Sequence, residues 1–383
     1  MDVDFDALTE PELRRRRSAK WQAYGEDVLP AWVAECDVPL AAPITAALRG
    51  AVEHGDTGYA YPGGLSGVVA RWLAARWDWQ VDPAGLITAA DVMTGVADVL
   101  RIVTSPGDRV VIVPPVYPPF AATVRRVGRQ PVEVPVIDDG TAWQLDLGGL
   151  QAAFRAGAAA LLLCSPHNPL GMVWPRDTLA AAAALADRYG VFVLSDEIHA
   201  PLTLPGSTHT PYPVVSPAAE RSVVFTSASK AWNLAGLKCA VIVPGSPAVR
   251  DRIAPLAPDS GWHIGHFGAI AAEAAFRDGG PWLHGFLTHL DRNRALLGEL
   301  LAEHLPEVGY RPPAASYLAW LDCRALGFGD NPADVFLQRG RVALSAGADF
   351  GTPGRGYARL NIGTTAPLLA EAVRRMAAAT NGQ

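Results

Sequence analysis

Between residues 86 and 245, short and almost unbroken apolar runs alternate with stretches whose apolar positions recur at helical spacing. The runs fall at 109–113, 159–164, 191–195, 222–226 and 240–243, and a helical pattern such as that over 178–189 separates some of them. A strand that is apolar on consecutive residues is one covered on both faces. The alternation therefore predicts an α/β fold with a mostly parallel sheet between helices. Residues 281–305 read as one long helix leaving this unit. Beyond it, strands are expected at 317–321, 342–345 and 358–362 and helices at 332–339 and 367–378, a smaller α+β unit.

Composition narrows the function classes. Half of the 383 residues are hydrophobic and 18% are charged, as in a packed globule. A formal charge of −6 gives no general attraction for nucleic acid or an acidic membrane. The one dense basic run, Arg14 to Arg17, follows Glu10 and Glu12 and reads as a solvated helix face. No apolar stretch reaches membrane-spanning length, and the acidic N-terminus lacks a signal-peptide core. Four scattered cysteines without CxxC spacing suit a reducing, cytoplasmic setting, and no histidine has metal-ligand spacing, so no metal is expected. Only Lys20, Lys230 and Lys238 are lysines among 32 basic residues. Arginine cannot replace an amine that must lose its proton and attack a carbonyl.

Ligands of parallel sheets sit beyond the carboxyl ends of the strands, so the residues after each run carry the information. After 159–164 comes Ser165-Pro166-His167-Asn168-Pro169; after 191–195, Asp196-Glu197-Ile198-His199; after 222–226, Ser227-Ala228-Ser229-Lys230. Taken singly these are a turn, a helix cap and a surface amine. Together an amide, a carboxylate and a scarce lysine arrive at one sheet edge. That set suits pyridoxal phosphate: the lysine forms an imine with the cofactor aldehyde, the carboxylate pairs with the pyridine nitrogen, and the amide meets the ring hydroxyl.

Over nearly its whole length the sequence resembles the fold type I pyridoxal-phosphate enzymes, and within them the cystathionine β-lyase-like carbon–sulfur lyases. The resemblance is carried by KW at 20–21, WVAECD at 32–37, GYAYPGG at 58–64, PPVYPPF at 114–120 and CSPHNPLG at 164–171. SDEIH at 195–199, SASKAWNLAGLK at 227–238, PPAASYLAWLDCR at 312–324 and RLN at 359–361 complete it. It implies an aminotransferase-like fold: an N-terminal segment (1–45) packing with the small domain, a large cofactor-binding domain (46–282) with a seven-stranded sheet, and a small domain (283–383).

Carried over position by position, the resemblance makes Lys230 the imine-forming residue and proton carrier, Asp196 the ring-nitrogen partner and Asn168 the ring-hydroxyl contact. Tyr117 lies against the ring. Gly95, Val96 and Ala97 receive the phosphate at a helix start, with Ser227 and Lys238. Arg359 grips the substrate carboxylate, and the backbone around Ala34 closes over it. Tyr59 reaches the phosphate of a neighbouring subunit, which implies a homodimer. The chain departs from the family at Cys36-Asp37-Val38, Leu170, Trp232 and His199, and these leave the substrate pocket open.

The expected reaction is β-elimination from an S-substituted L-cysteine such as cystathionine or a thiol conjugate, giving a thiol, pyruvate and ammonia. An aminotransferase would use the same residues. A cofactor-binding regulatory protein is a third possibility, set against by the complete catalytic set and the lack of a DNA-binding helix pair.

Overall fold

The computed structural model describes residues 3–380, so the outermost residues of the two terminal segments outlined above lie outside the described residues. Seven strands form the large sheet: β1 (Ile87–Ala89), β2 (Arg109–Ile112), β3 (Gln130–Glu133), β4 (Ala160–Cys164), β5 (Phe192–Asp196), β6 (Ser222–Thr226) and β7 (Ala240–Pro244). Their order is β1-β7-β6-β5-β4-β2-β3, with β7 antiparallel to both neighbours and the rest parallel.

Consecutive side chains of a strand point to opposite faces. In β4, Leu162 packs with Val96, Val99 and Phe120 on one face, while Leu161 and Leu163 pack with Leu179 and Ala183 on the other. Both faces are closed, which is why the run is apolar at every position. Helix Val92–Val103 covers one face and helix Arg176–Arg188 the other. The edge strand β3 carries Pro131, tolerated where no ladder hydrogen bond is lost.

Helix Gly280–His304 leaves the sheet and leads to a second sheet: β8 (Gly309–Tyr310), β9 (Leu318–Asp322), β10 (Ser345–Ala346) and β11 (Tyr357–Asn361), ordered β8-β9-β11-β10 and antiparallel throughout. The 282/283 boundary expected from sequence falls in the first turn of that helix. The terminal helix Ala366–Thr380 buries Leu368, Leu369, Ala372, Val373 and Met376 along one stripe. Each buried Leu, Val or Met among them contributes about 1.5–3 kcal/mol.

The single strand expected over 342–345 is two. Val342–Ala343 pairs in parallel with Leu29–Pro30, while Ser345–Ala346 joins β11. One apolar run serves two different partners, which periodicity alone does not reveal.

From Leu29 the chain runs as a strap toward the large sheet. The side-chain amide of Asn361 donates to the carbonyls of Val33 and Glu35 at 2.7 and 2.6 Å. Lys20 and Asp37 form a fully buried ion pair of 2.6 Å, and the Trp21 indole donates to the other Asp37 oxygen at 2.8 Å. The Arg14–Arg17 run is not a plain solvated face: Arg16 donates to the carbonyls of Cys36 and Val38, both at 2.9 Å, and so clamps the strap. Among the described residues no helix is long and apolar enough to cross a membrane.

Candidate active site

A cavity of about 440 Å³ opens beyond the carboxyl ends of β4, β5 and β6, bounded on its outer side by the strap and β11. Ala34, Tyr117, Asn168, Asp196, Ser227, Lys230, Lys238 and Arg359 all line it, so those expected residues converge. They come from stretches up to 325 positions apart, brought together because parallel strands present their ends at one edge.

Lys230 sits in the short helix Ala228–Ala231 that follows β6, and its amine donates to the Ala34 carbonyl at 3.0 Å. The Tyr317 hydroxyl donates to the same oxygen at 3.1 Å. Removal from water, reinforced by the nearby Arg359 guanidinium, brings the Lys230 amine down to about 8. A useful fraction of it is then neutral near pH 7, as imine formation and proton abstraction require.

Asp196 ends β5 and is buried, with its side chain accepting, among the described residues, only the Ile198 N–H, at 3.1 Å. Burial raises its carboxyl to about 7, opposed by that hydrogen bond and by Lys230. A buried carboxylate without a cation is costly and calls for a positive partner. A protonated pyridine nitrogen is such a partner.

Arg359, on β11, is buried. It donates from one terminal nitrogen to Asn168 Oδ1 at 3.0 Å and from the other to the Trp32 carbonyl and Ser345 Oγ, both at 3.1 Å. Its carbon Cζ lies 4.8 Å from the Phe350 ring centroid, and Nε is buried without a partner among the described residues. Desolvation lowers its value to about 10, still fully cationic at neutral pH. An unmet donor on a buried planar cation suits a carboxylate. Trp32 and Ser345 steady this arginine through contacts that nothing in the sequence announces.

Gly95, Val96 and Ala97 do not line the cavity, which corrects the expectation that they stand at the helix start. They lie inside helix Val92–Val103, and the Gly95 N–H is already bonded to the Asp91 carbonyl at 3.0 Å. A Cβ on Gly95 would meet Phe225, Ala89 and Ile242 at 3.2–3.3 Å, so this glycine permits close helix–sheet packing. The cavity wall is Ala90 to Thr94, three residues earlier. Asp91 caps the helix by accepting the Thr94 N–H at 2.8 Å, leaving the N–H groups of Val92 and Met93 at the positive helix end. An Asp ahead of a helical apolar pattern is a readable N-cap signal. Lys238 stands at the same end, 3.1 Å from Asp91. The Ser227 hydroxyl donates to the Cys239 carbonyl at 2.6 Å and accepts the Ser229 N–H at 3.1 Å.

His199 lines the cavity and its Nδ1 lies 3.0 Å from Ser316 Oγ. Burial, with Lys230 and Arg359 nearby, lowers it to about 3, so it is neutral. Tyr59 is 82% exposed and lies outside the cavity of its own chain.

The family profile described as aminotransferase class I and II matches residues 68–376. The chain belongs to this family. A Mycobacterium tuberculosis protein provisionally named cystathionine beta-lyase is 45% identical, with 97% of each chain covered. Cystathionine beta-lyase PatB of Bacillus subtilis is 36% identical over 95% of this chain and 96% of that one. Among solved structures, Treponema denticola cystalysin with a pyridoxal 5′-phosphate cofactor superposes with a TM-score of 0.92 at 27% identity, covering 100% of this chain and 99% of that one. The residues present fit that cofactor: an amine of lowered basicity, a buried carboxylate short of a cation, and a cation beside a helix N-terminus for the phosphate.

Proposed function

We infer that this chain is a pyridoxal-phosphate-dependent carbon–sulfur β-lyase, which cleaves S-substituted L-cysteines to a thiol, pyruvate and ammonia. The single observation that carries the reading is the convergence of Lys230, Asp196 and Arg359 on one cavity, in a chain 36% identical to a cystathionine beta-lyase.

Bound there, pyridoxal phosphate supplies an aldehyde for the substrate amine and an electron-poor ring that accepts the electron pair left at Cα. Asp196 keeps the ring nitrogen protonated by opposite-charge pairing. Asn168, already oriented by Arg359, offers its amide N–H to the ring hydroxyl. Tyr117 packs against the ring and keeps water from that face. Lys238 and the N–H groups of Val92 and Met93 receive the phosphate. Arg359 fixes the substrate carboxylate and so orients Cα toward Lys230. The neutral Lys230 amine takes the Cα proton, the freed pair forms the Cα–Cβ double bond as the Cβ–S pair leaves with sulfur, and water hydrolyses the released enamine to pyruvate and ammonia.

The working unit is a cytoplasmic homodimer. All four cysteines are free and buried, as in a reducing compartment. Tyr59 and Trp262 stack edge-to-face 5.3 Å apart on the surface, an exposed aromatic patch that suits a covered face.

Incubation of the holoenzyme with S-substituted cysteines tests the reading. Stoichiometric thiol and pyruvate are expected. Transfer of the amino group to a keto acid with no thiol released would replace it by an aminotransferase.

A further inference from the structure

A second cavity, of about 500 Å³, meets the first at Val33, Tyr117, Pro119 and Arg359. A substrate whose carboxylate sits on Arg359 stands at this junction, with the second cavity beside its substituent. The wall combines aromatic and apolar side chains, Tyr24 and Trp32 (edge-to-face at 5.9 Å) with Leu337, Leu344 and Phe350, and the polar Asn331 and Ser345. Charge enters at two places. Asp334 and Asp349 are exposed at the wall, and neither has an ion-pair partner among the described residues. Among the described residues Arg359 is the one lining cation, and its terminal nitrogens already hold Asn168, Trp32 and Ser345.

We propose that this second cavity receives the sulfur substituent and selects uncharged or amine-bearing substituents against carboxylate-bearing ones. The inference rests on the carbon–sulfur lyase reading of the first cavity. A second carboxylate would find no free cation there among the described residues and would face two carboxylates. Burying a charge without a partner is unfavourable, and like-charge placement is a common device for rejecting a competitor. An apolar chain loses nothing there, and an amine gains attraction from Asp334 and Asp349. Cystathionine, which carries both a distal amine and a distal carboxylate, falls between.

The test compares S-propyl-, S-(2-aminoethyl)- and S-carboxymethyl-L-cysteine, which are similar in length and differ in charge. The carboxymethyl substrate is expected to have a kcat/KM at least about ten-fold below the propyl one, mostly through KM, with a gap that narrows as salt screens the exposed carboxylates. The aminoethyl substrate should equal or exceed propyl. Replacing both Asp334→Asn and Asp349→Asn should raise the carboxymethyl-to-propyl ratio several-fold. The α-methyl analogues, which have no Cα proton to lose, report binding alone through the absorbance change and should rank in the same order. Carboxymethyl binding and turning over as well as propyl, or a ratio unmoved in the double variant, would overturn the proposal. Absence of thiol from all three substrates in a cofactor-loaded enzyme would overturn the lyase reading itself, a different result.

Discussion

Arg359 and Asn168, 191 residues apart, meet through a 3.0 Å hydrogen bond from a guanidinium nitrogen to the amide oxygen. The residue proposed to grip the substrate carboxylate and the residue proposed to meet the cofactor ring thus hold each other. Arg359→Lys keeps the charge but loses the planar fork, so Asn168, the Trp32 carbonyl and Ser345 cannot all be held at once. KM for any S-substituted cysteine should rise about ten-fold or more, and kcat should fall through misorientation. Steady-state kinetics check this, and unchanged kinetics would move the carboxylate site elsewhere.

Lys230 is expected to govern cofactor capture. Because its amine titrates near 8, the rate of cofactor attachment to cofactor-free protein should climb through that pH and level off above it. Stopped-flow absorbance follows this directly. Borohydride should then trap the cofactor on the peptide containing Lys230. Lys230→Arg should lose turnover by several orders of magnitude, since a guanidinium neither forms the imine nor carries the proton.

Asp196 carries a pH signature. A carboxyl raised to about 7 by burial disfavours folding once pH exceeds its unfolded value near 4, with the full cost present above about 7. Cofactor-free protein should therefore lose thermal stability between pH 4 and 7 from this group, and Asp196→Asn should remove that part of the slope. The same variant should still bind cofactor but remove the Cα proton slowly, because a neutral amide does not hold a pyridinium. Melting curves and a substrate isotope effect report the two consequences separately.

The strap depends on the buried Lys20–Asp37 pair. Lys20→Met alone leaves a buried carboxylate without its cation and should cost about 3–5 kcal/mol in denaturant unfolding. Adding Asp37→Asn should recover a large part of the loss, because Asn still accepts from Trp21. A double variant as unstable as the single would assign the cost to packing instead.

Tyr59 tests the shared site. A Tyr59→Phe, Lys230→Ala double variant mixed with wild type gives a dimer in which the intact Lys230 site faces the ring lacking its hydroxyl. Cofactor affinity at that site should fall. Affinity equal to wild type, or an active monomer in sedimentation, would rule out a shared phosphate contact.

The sheet was legible because strands covered on both faces must be apolar at successive positions, and the chemistry follows those strands immediately. Lys230, Asp196 and Asn168 could be named from order alone, since each stands within a few residues of a strand end. Scarcity pointed to Lys230, but Lys20 and Lys238 were equally scarce. Only the folded chain shows that Lys20 is spent on Asp37 and Lys238 pairs with Asp91 at the rim. The helix start lies three residues before the expected Gly95, because it is set by which N–H groups lack partners, and Asp91 sets it through its cap. The split of 342–345 between two partners, the grip of Trp32 and Ser345 on Arg359, and the acidic wall of the second cavity depend on contacts between distant segments. Periodicity encodes which face of an element is buried, not what meets it there. The residues that converge on the cavity were therefore readable along the chain, while the shape and charge of the space around them were decided by tertiary packing.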